Sequence, residues 1–364
     1  MRKILILLTD PVRVYYEKGE VKDRYYNPCD LFGEVHMVSF CKRDIEEEKV
    51  RSIAGNGKLF IHPAGRLSAL NLLGKAAAVS KLIDRIKPDI LRAYDPSLRG
   101  ALAVWLGKKH KVPSLVSLHT EFDDQRKFDK RPELLLRKIF ELYAVRNADC
   151  IMAVTGHVSS YANRYGARRV ELLYNRVSLD KFDEIRPGGV FKNRTVFSVG
   201  RFERPKRQDC LIKAMKGLDM DLALAGDGFL RPSMEMLAGE SGVGKRAIFL
   251  GPIPHGDIQK YYLSCDIFAI ATDFEGFCIP VIEAMAAAKP IVASDIPAIR
   301  ELVGDAGILV NNDPDSFRAA ISGLINDPER AKHLGLKARA RAGMFDSSVL
   351  EKKEKSIYES LYRI

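Results

Sequence analysis

Ile267-Phe-Ala-Ile-Ala271-Thr-Asp273-Phe-Glu275-Gly-Phe-Cys-Ile-Pro280-Val-Ile-Glu283-Ala-Met-Ala286 holds, in order, a short apolar run, a glycine-containing loop and the first turns of a helix. The apolar run is too short for a helix and reads as a buried strand. With Ile291–Ser294 as the next strand, the stretch becomes a strand, loop, helix, strand unit of the kind that builds parallel sheets. Glu275 stands in the loop and Glu283 inside the helix, with the backbone N–H groups of Gly276, Phe277, Cys278 and Ile279 between them. Helix N-terminal amides attract phosphate oxygens, and carboxylates accept hydrogen bonds from hydroxyls. The combination suits a sugar joined to a nucleoside diphosphate.

The same alternation runs outward in both directions. After the break come Thr195–Val199, Leu222–Ala225, Ala247–Leu250, Ile267–Ala271, Ile291–Ser294 and Ile308–Val310. Before it, strands are predicted at Lys3–Leu8, Glu34–Phe40, Asp89–Tyr94, Ser114–His119, Cys150–Thr155 and Val170–Tyr174, with Lys58–His62 as a further candidate. Helical patterns lie between, at Ser68–Ile86, Arg99–Lys109 and Pro132–Arg146. The break itself is Ile185-Arg-Pro-Gly-Gly-Val190, the expected linker. The predicted fold class is α/β, with two Rossmann-like doubly wound lobes, 1–186 and 190–345, facing a cleft lined by their strand C-terminal ends. The helical tail 347–364 is expected to pack back on the first lobe.

A chain of 364 residues exceeds what one core usually serves, while 46% hydrophobic and 29% charged residues are ordinary for a packed globular protein. The N-terminal apolar run is too short for a signal peptide, and nothing approaches the roughly 20 apolar residues that span a bilayer. The six cysteines, at 29, 41, 150, 210, 265 and 278, form no C-x-x-C pair, which points to reduced thiols and a cytoplasmic protein. A formal charge of +11 favours polyanionic company: nucleic acid, anionic lipid or phosphorylated substrates.

Gly200-Arg201-Phe-Glu-Arg-Pro205-Lys206 follows a strand, and its Arg201 and Lys206 are candidates to bind a diphosphate. A solvated helix start is the competing reading. Gly226-Asp227-Gly228 lacks the third glycine of a dinucleotide fingerprint. Gly239-Glu-Ser-Gly-Val-Gly244-Lys245-Arg246 imitates a P-loop, but Arg246 replaces its Ser or Thr and a helix precedes where a strand should. His119 ends a strand, positioned to donate to a sugar hydroxyl or move an acceptor proton. Asp313-Pro-Asp315 has metal-site spacing but reads as a helix cap through Asp315 or Ser316, and no bound metal is expected. Lys108-Lys109-His110-Lys111, Arg126-Lys127 and Lys130-Arg131, with Leu134, Leu135, Leu136, Ile139, Phe140 and Leu142, give a basic surface suited either to anionic lipid or to ordinary core packing.

Together, Gly200-Arg201 with Lys206, Gly226-Asp227-Gly228, Phe249-Leu-Gly251 and the Glu275/Glu283 segment resemble family 4 glycosyltransferases of the group 1 type, whose fold is GT-B. Tyr174-Asn175-Arg176-Val177 with Asp180 and Phe182 looks like that family's interlobe segment. The resemblance implies metal-independent, retaining hexosyl transfer from a nucleotide-sugar donor, such as a UDP-sugar or GDP-sugar, to a hydroxyl acceptor, without cofactor or nucleic acid. It assigns Arg201 and Lys206 to the leaving diphosphate, Gly276, Phe277, Cys278 and Ile279 to the donor sugar and phosphate loop, Glu283 to the donor ribose, and His119 and Glu275 to catalysis. Departures are Thr9-Asp10-Pro11-Val12 in place of a Gly-rich loop, and Cys278 and Lys289 where small glycines are usual. Two alternatives stand beside this reading: a nucleotide-sugar epimerase of the same fold, and a non-catalytic basic binder of RNA or membranes.

Overall fold

The computed structural model describes the chain apart from residues 129–132, 186–187 and 363–364, and apart from the side chains of 128 and 133–136. It divides into two compact units, Met1–Tyr174 with Glu351–Ile364, and Asn175–Leu350. Each has its own hydrophobic core.

Among the described residues, the first unit's sheet has seven parallel strands: β1 (Lys3–Leu7), β2 (Glu34–Ser39), β3 (Lys58–Pro63), β4 (Ile90–Ala93), β5 (Ser114–Leu118), β6 (Cys150–Ala153) and β7 (Val170–Leu172). Their spatial order is β3-β2-β1-β4-β5-β6-β7. Helices cover both faces of such sheets, so the strands read as unbroken apolar runs. In β1, Ile4, Leu5, Ile6 and Leu7 are all 0% exposed. The second unit's sheet is β8 (Thr195–Val199), β9 (Asp221–Ala225), β10 (Ala247–Gly251), β11 (Ile267–Ile270), β12 (Ile291–Ser294) and β13 (Ile308–Val310), ordered β10-β9-β8-β11-β12-β13. Both sheets are doubly wound, and each reverses its strand order once, at β1/β4 and at β8/β11. In open α/β sheets ligands bind outside the carboxyl ends of the strands at such a point.

The division between units falls at Tyr174/Asn175, earlier than the Pro-Gly-Gly linker, of which Arg186 and Pro187 lie outside the described residues. The intervening segment packs into the second unit. Val177 N donates to Phe345 O at 2.9 Å and Val177 O accepts from Ser347 N at 2.9 Å. Phe182 is buried, with its ring 6.4 Å from that of Tyr262. The last helix, Ser347–Leu361, starts in the second unit, and its later residues Ile357, Tyr358 and Leu361 join the first unit's core.

Candidate active site

In the second unit the loops after β8 and β11 are sewn together at the strand-order reversal. Lys206 pairs with Thr272 in an antiparallel bridge. Arg207 N donates to Ala271 O at 3.0 Å, and Asp273 N to Pro205 O at 3.1 Å. Neighbouring strand ends fix the second loop: Ser294 Oγ accepts from Thr272 N at 2.8 Å and donates to Asn312 Oδ1. Asn312 Nδ2 donates in turn to Thr272 O at 2.7 Å and to Asp273 Oδ1 at 2.9 Å.

This frame brings Lys206 Nζ into hydrogen-bonded contact with Glu275 Oε1, the two side chains being only 19% and 11% exposed. Burial presses the ammonium towards neutrality, but the Glu275 carboxylate outweighs it and raises the Lys206 pKa above the ordinary lysine value. Arg201, on the same loop, is 77% exposed and reaches Glu203 at 3.1 Å. Its carbonyl accepts from Gln208 Nε2 at 2.9 Å, which holds the loop's course.

The helix Ile279–Ala286 begins without a side-chain cap, with Cys278 at its N-cap and Pro280 in its first turn. Cys278 is buried, and burial, with the Glu275 carboxylate next, pushes its thiol pKa well up, so the side chain is neutral. One turn further in, Glu283 is 7% exposed and accepts from the Tyr262 hydroxyl at 2.9 Å. His255 Nδ1 lies 3.9 Å from its other oxygen. Burial and the Glu283 charge hold the Tyr262 phenol protonated, so it always donates. Lys206, Glu275, Cys278 and Glu283 thus form one electrostatic neighbourhood, with Arg201 beside it.

The glycines of Gly226-Asp227-Gly228 serve close packing of backbone on backbone. Gly226 has φ +126°, and a Cβ there would lie 2.2 Å from Gly200 O; at Gly228 it would lie 2.5 Å from Phe202 O. They let the loop after β9 lie directly on the loop carrying Arg201. The P-loop imitation is the end of the helix Arg231–Glu240 and a turn into β10, where Arg246 donates to Met220 O at 3.0 Å. The helix Pro314–Asn326 is capped by Asp313, whose Oδ1 accepts from Ser316 N at 2.8 Å, and not by Asp315 or Ser316. Asp315 pairs with Arg318 at 2.5 Å instead.

His119 belongs to the first unit, just beyond β5. It lies nearly parallel to Tyr94, 6.0 Å between ring centres and 8° apart. Surrounding protein first, and then the Arg92 cation, lower its pKa, so the imidazole is neutral at physiological pH. Arg92 itself is buried, 4.1 Å from the Tyr94 ring centre, bonded to Glu354 at 2.5 Å and to the Tyr358 hydroxyl. At the β1/β4 reversal, Thr9 Oγ1 donates to Asp95 at 2.8 Å. Sequence reasoning missed Tyr262, Ser294 and Asn312, because each meets its site partner only through the fold.

All six cysteines are free thiols. Among the described residues, no group of histidine, cysteine and carboxylate side chains could hold a metal ion, and no helix is long and apolar enough to cross a membrane.

Two doubly wound α/β units, each with its own core and a single strand-order reversal, define the GT-B fold class. Residues 33–181 match the model of Glycosyltransferase Family 4, and residues 181–341 that of Glycosyl transferases group 1. The chain belongs to this glycosyltransferase family. It is 25% identical to an uncharacterized glycosyltransferase of Methanocaldococcus jannaschii over 75% of this chain and 76% of that protein. It is 31% identical to the N-acetylgalactosamine-N,N'-diacetylbacillosaminyl-diphospho-undecaprenol 4-alpha-N-acetylgalactosaminyltransferase of Campylobacter jejuni, over 49% of this chain and 50% of that one. In fold it is similar to Anabaena HepE, solved in complex with UDP, with a TM-score of 0.81 at 18% identity over 99% of this chain and 100% of that chain.

Proposed function

We propose that the protein is a retaining, metal-independent hexosyltransferase that moves a sugar from a nucleoside diphosphate donor to an acceptor hydroxyl. The observation that carries this reading is the convergence of Lys206, Glu275, the uncapped helix start and Glu283 at one strand-order reversal. The helix amides and the Lys206 and Arg201 cations take the diphosphate, whose charge grows as the glycosidic bond breaks. Glu283, oriented by Tyr262, accepts from the ribose hydroxyls, and Glu275 from those of the donor sugar. Lys206 stays protonated throughout the working pH range, so it neutralises charge and does not transfer a proton.

UDP is the nucleotide we favour, on the likeness to the UDP-bound Anabaena fold. The first unit takes the acceptor, with His119 as its hydrogen-bonding imidazole. No cofactor or nucleic acid takes part, and the reaction is placed in the cytoplasm. UDP should raise the melting temperature, since a ligand of the native state stabilises it. UDP-hexose incubated alone should yield no epimer by proton NMR. Absence of stabilisation by every nucleoside diphosphate overturns the reading, and rapid epimer formation replaces it with the epimerase.

A further inference from the structure

We propose that one helical face of the first unit docks on an anionic lipid bilayer. The helices Leu72–Ile86, Leu98–His110 and Glu133–Asn147 leave between them a groove of about 330 Å³ lined entirely by apolar and aromatic side chains. Its borders are open to solvent: Leu73 is 83% exposed, Ile139 67% and Trp105 44%. Isolated exposed apolar residues are ordinary, whereas a contiguous set around a groove marks an interaction surface.

Charge names the occupant. Lys109 Nζ lies 5.8 Å from the centre of the Trp105 ring, and Lys108 Nζ 6.0 Å from that of Tyr143, both rings lining the groove. Lys108, Lys109 and Lys111 are exposed. Glu141, on the third helix, is buried and held by Arg126 at 2.8 Å, so its charge is not presented outward. Tryptophan and tyrosine beside lysine, over aliphatic side chains, is the chemistry of the zone between acyl chains and anionic headgroups. A protein partner would need a matching acidic and apolar face, whereas a bilayer containing phosphatidylglycerol offers both layers at once. Of the residues read in the sequence as a lipid-facing surface, Lys130, Arg131 and the side chains of Leu134, Leu135 and Leu136 lie outside the described residues.

Trp105 is the chain's single tryptophan, so its emission reports on the groove without a label. The full chain is mixed with vesicles of phosphatidylcholine alone, and with vesicles of equal parts phosphatidylcholine and phosphatidylglycerol, then sedimented. Co-sedimentation and a blue shift are expected with the mixed vesicles only, weakening as salt shortens the Debye length below about 10 Å. K108Q/K109Q should lower partitioning roughly thirtyfold, at about 1 kcal/mol per cation near the surface. I139S, at an exposed position, should lower it while leaving the melting temperature unchanged. Equal binding to both vesicle types, no shift with either, or a shift that follows protein concentration without lipid overturns the proposal. UDP titration reads the second unit separately, so the two proposals fail independently.

Discussion

Replacing Lys206 by Met strands the Glu275 carboxylate in a place where it is 11% exposed. Breaking a fully buried ion pair costs about 3–5 kcal/mol, because the remaining charge loses water without compensation. With Lys206 19% and Glu275 11% exposed, the lower end, about 3 kcal/mol, is expected here. For a unit of this size that lowers the melting transition by about 6–12 °C. The double variant K206M/E275Q removes the stranded charge and should recover most of that loss. Its affinity for UDP should not recover, because a charge-assisted hydrogen bond to the diphosphate is worth about 1.5–3 kcal/mol, or roughly ten- to hundredfold in Kd. Differential scanning fluorimetry and calorimetric UDP titration of both variants measure the two effects. A double variant that regains stability and wild-type UDP affinity together refutes the reasoning, leaving Lys206 as a brace for the Glu275 loop.

Tyr262→Phe removes the hydroxyl that donates to the buried Glu283 at 2.9 Å, and should cost about 1–3 kcal/mol in denaturant unfolding while weakening UDP more than inorganic pyrophosphate. Gly226→Ala places a Cβ 2.2 Å from Gly200 O at φ +126°, so strain of about 1–3 kcal/mol and loss of UDP binding should appear together in melting and titration data. His62, 3.1 Å from His36 Nδ1 and facing Glu34, Glu47, Lys3 and Arg85 through that pair, has its pKa lowered to about 4 by burial and then by His36. A base whose folded pKa is depressed loses stability as pH falls from its unfolded value of about 6.5 to about 4; the loss should approach about 3 kcal/mol, and His62→Gln should flatten that part of the pH profile.

The β-strands were legible because strands covered on both faces must be apolar along their whole length, as Ile4 to Leu7 are. Lys206, Glu275 and Glu283 were legible one at a time, because each stands in a loop or helix directly after a strand. Their pairing was not: Lys206 and Glu275 are 69 residues apart, and only the β8/β11 reversal brings them together. Tyr262 carried no signal of its own, since its hydroxyl meets Glu283 across two packed helices. The domain division was misplaced because Pro-Gly-Gly marks where regular structure stops, whereas the unit begins where Val177 joins Phe345 and Ser347. For the cap a usable signal existed. Pro314 prefers the first helical position, which makes Asp313, with φ −129° and ψ 150°, the cap.

The most direct test of the central claim is a crystal structure of the protein with UDP. The β-phosphate is expected on Lys206 and on the backbone amides at Cys278 and Ile279, with the ribose hydroxyls on Glu283. UDP seated away from the β8/β11 reversal, with Lys206 still bonded to Glu275 and Glu283 touching no part of the ribose, would contradict it.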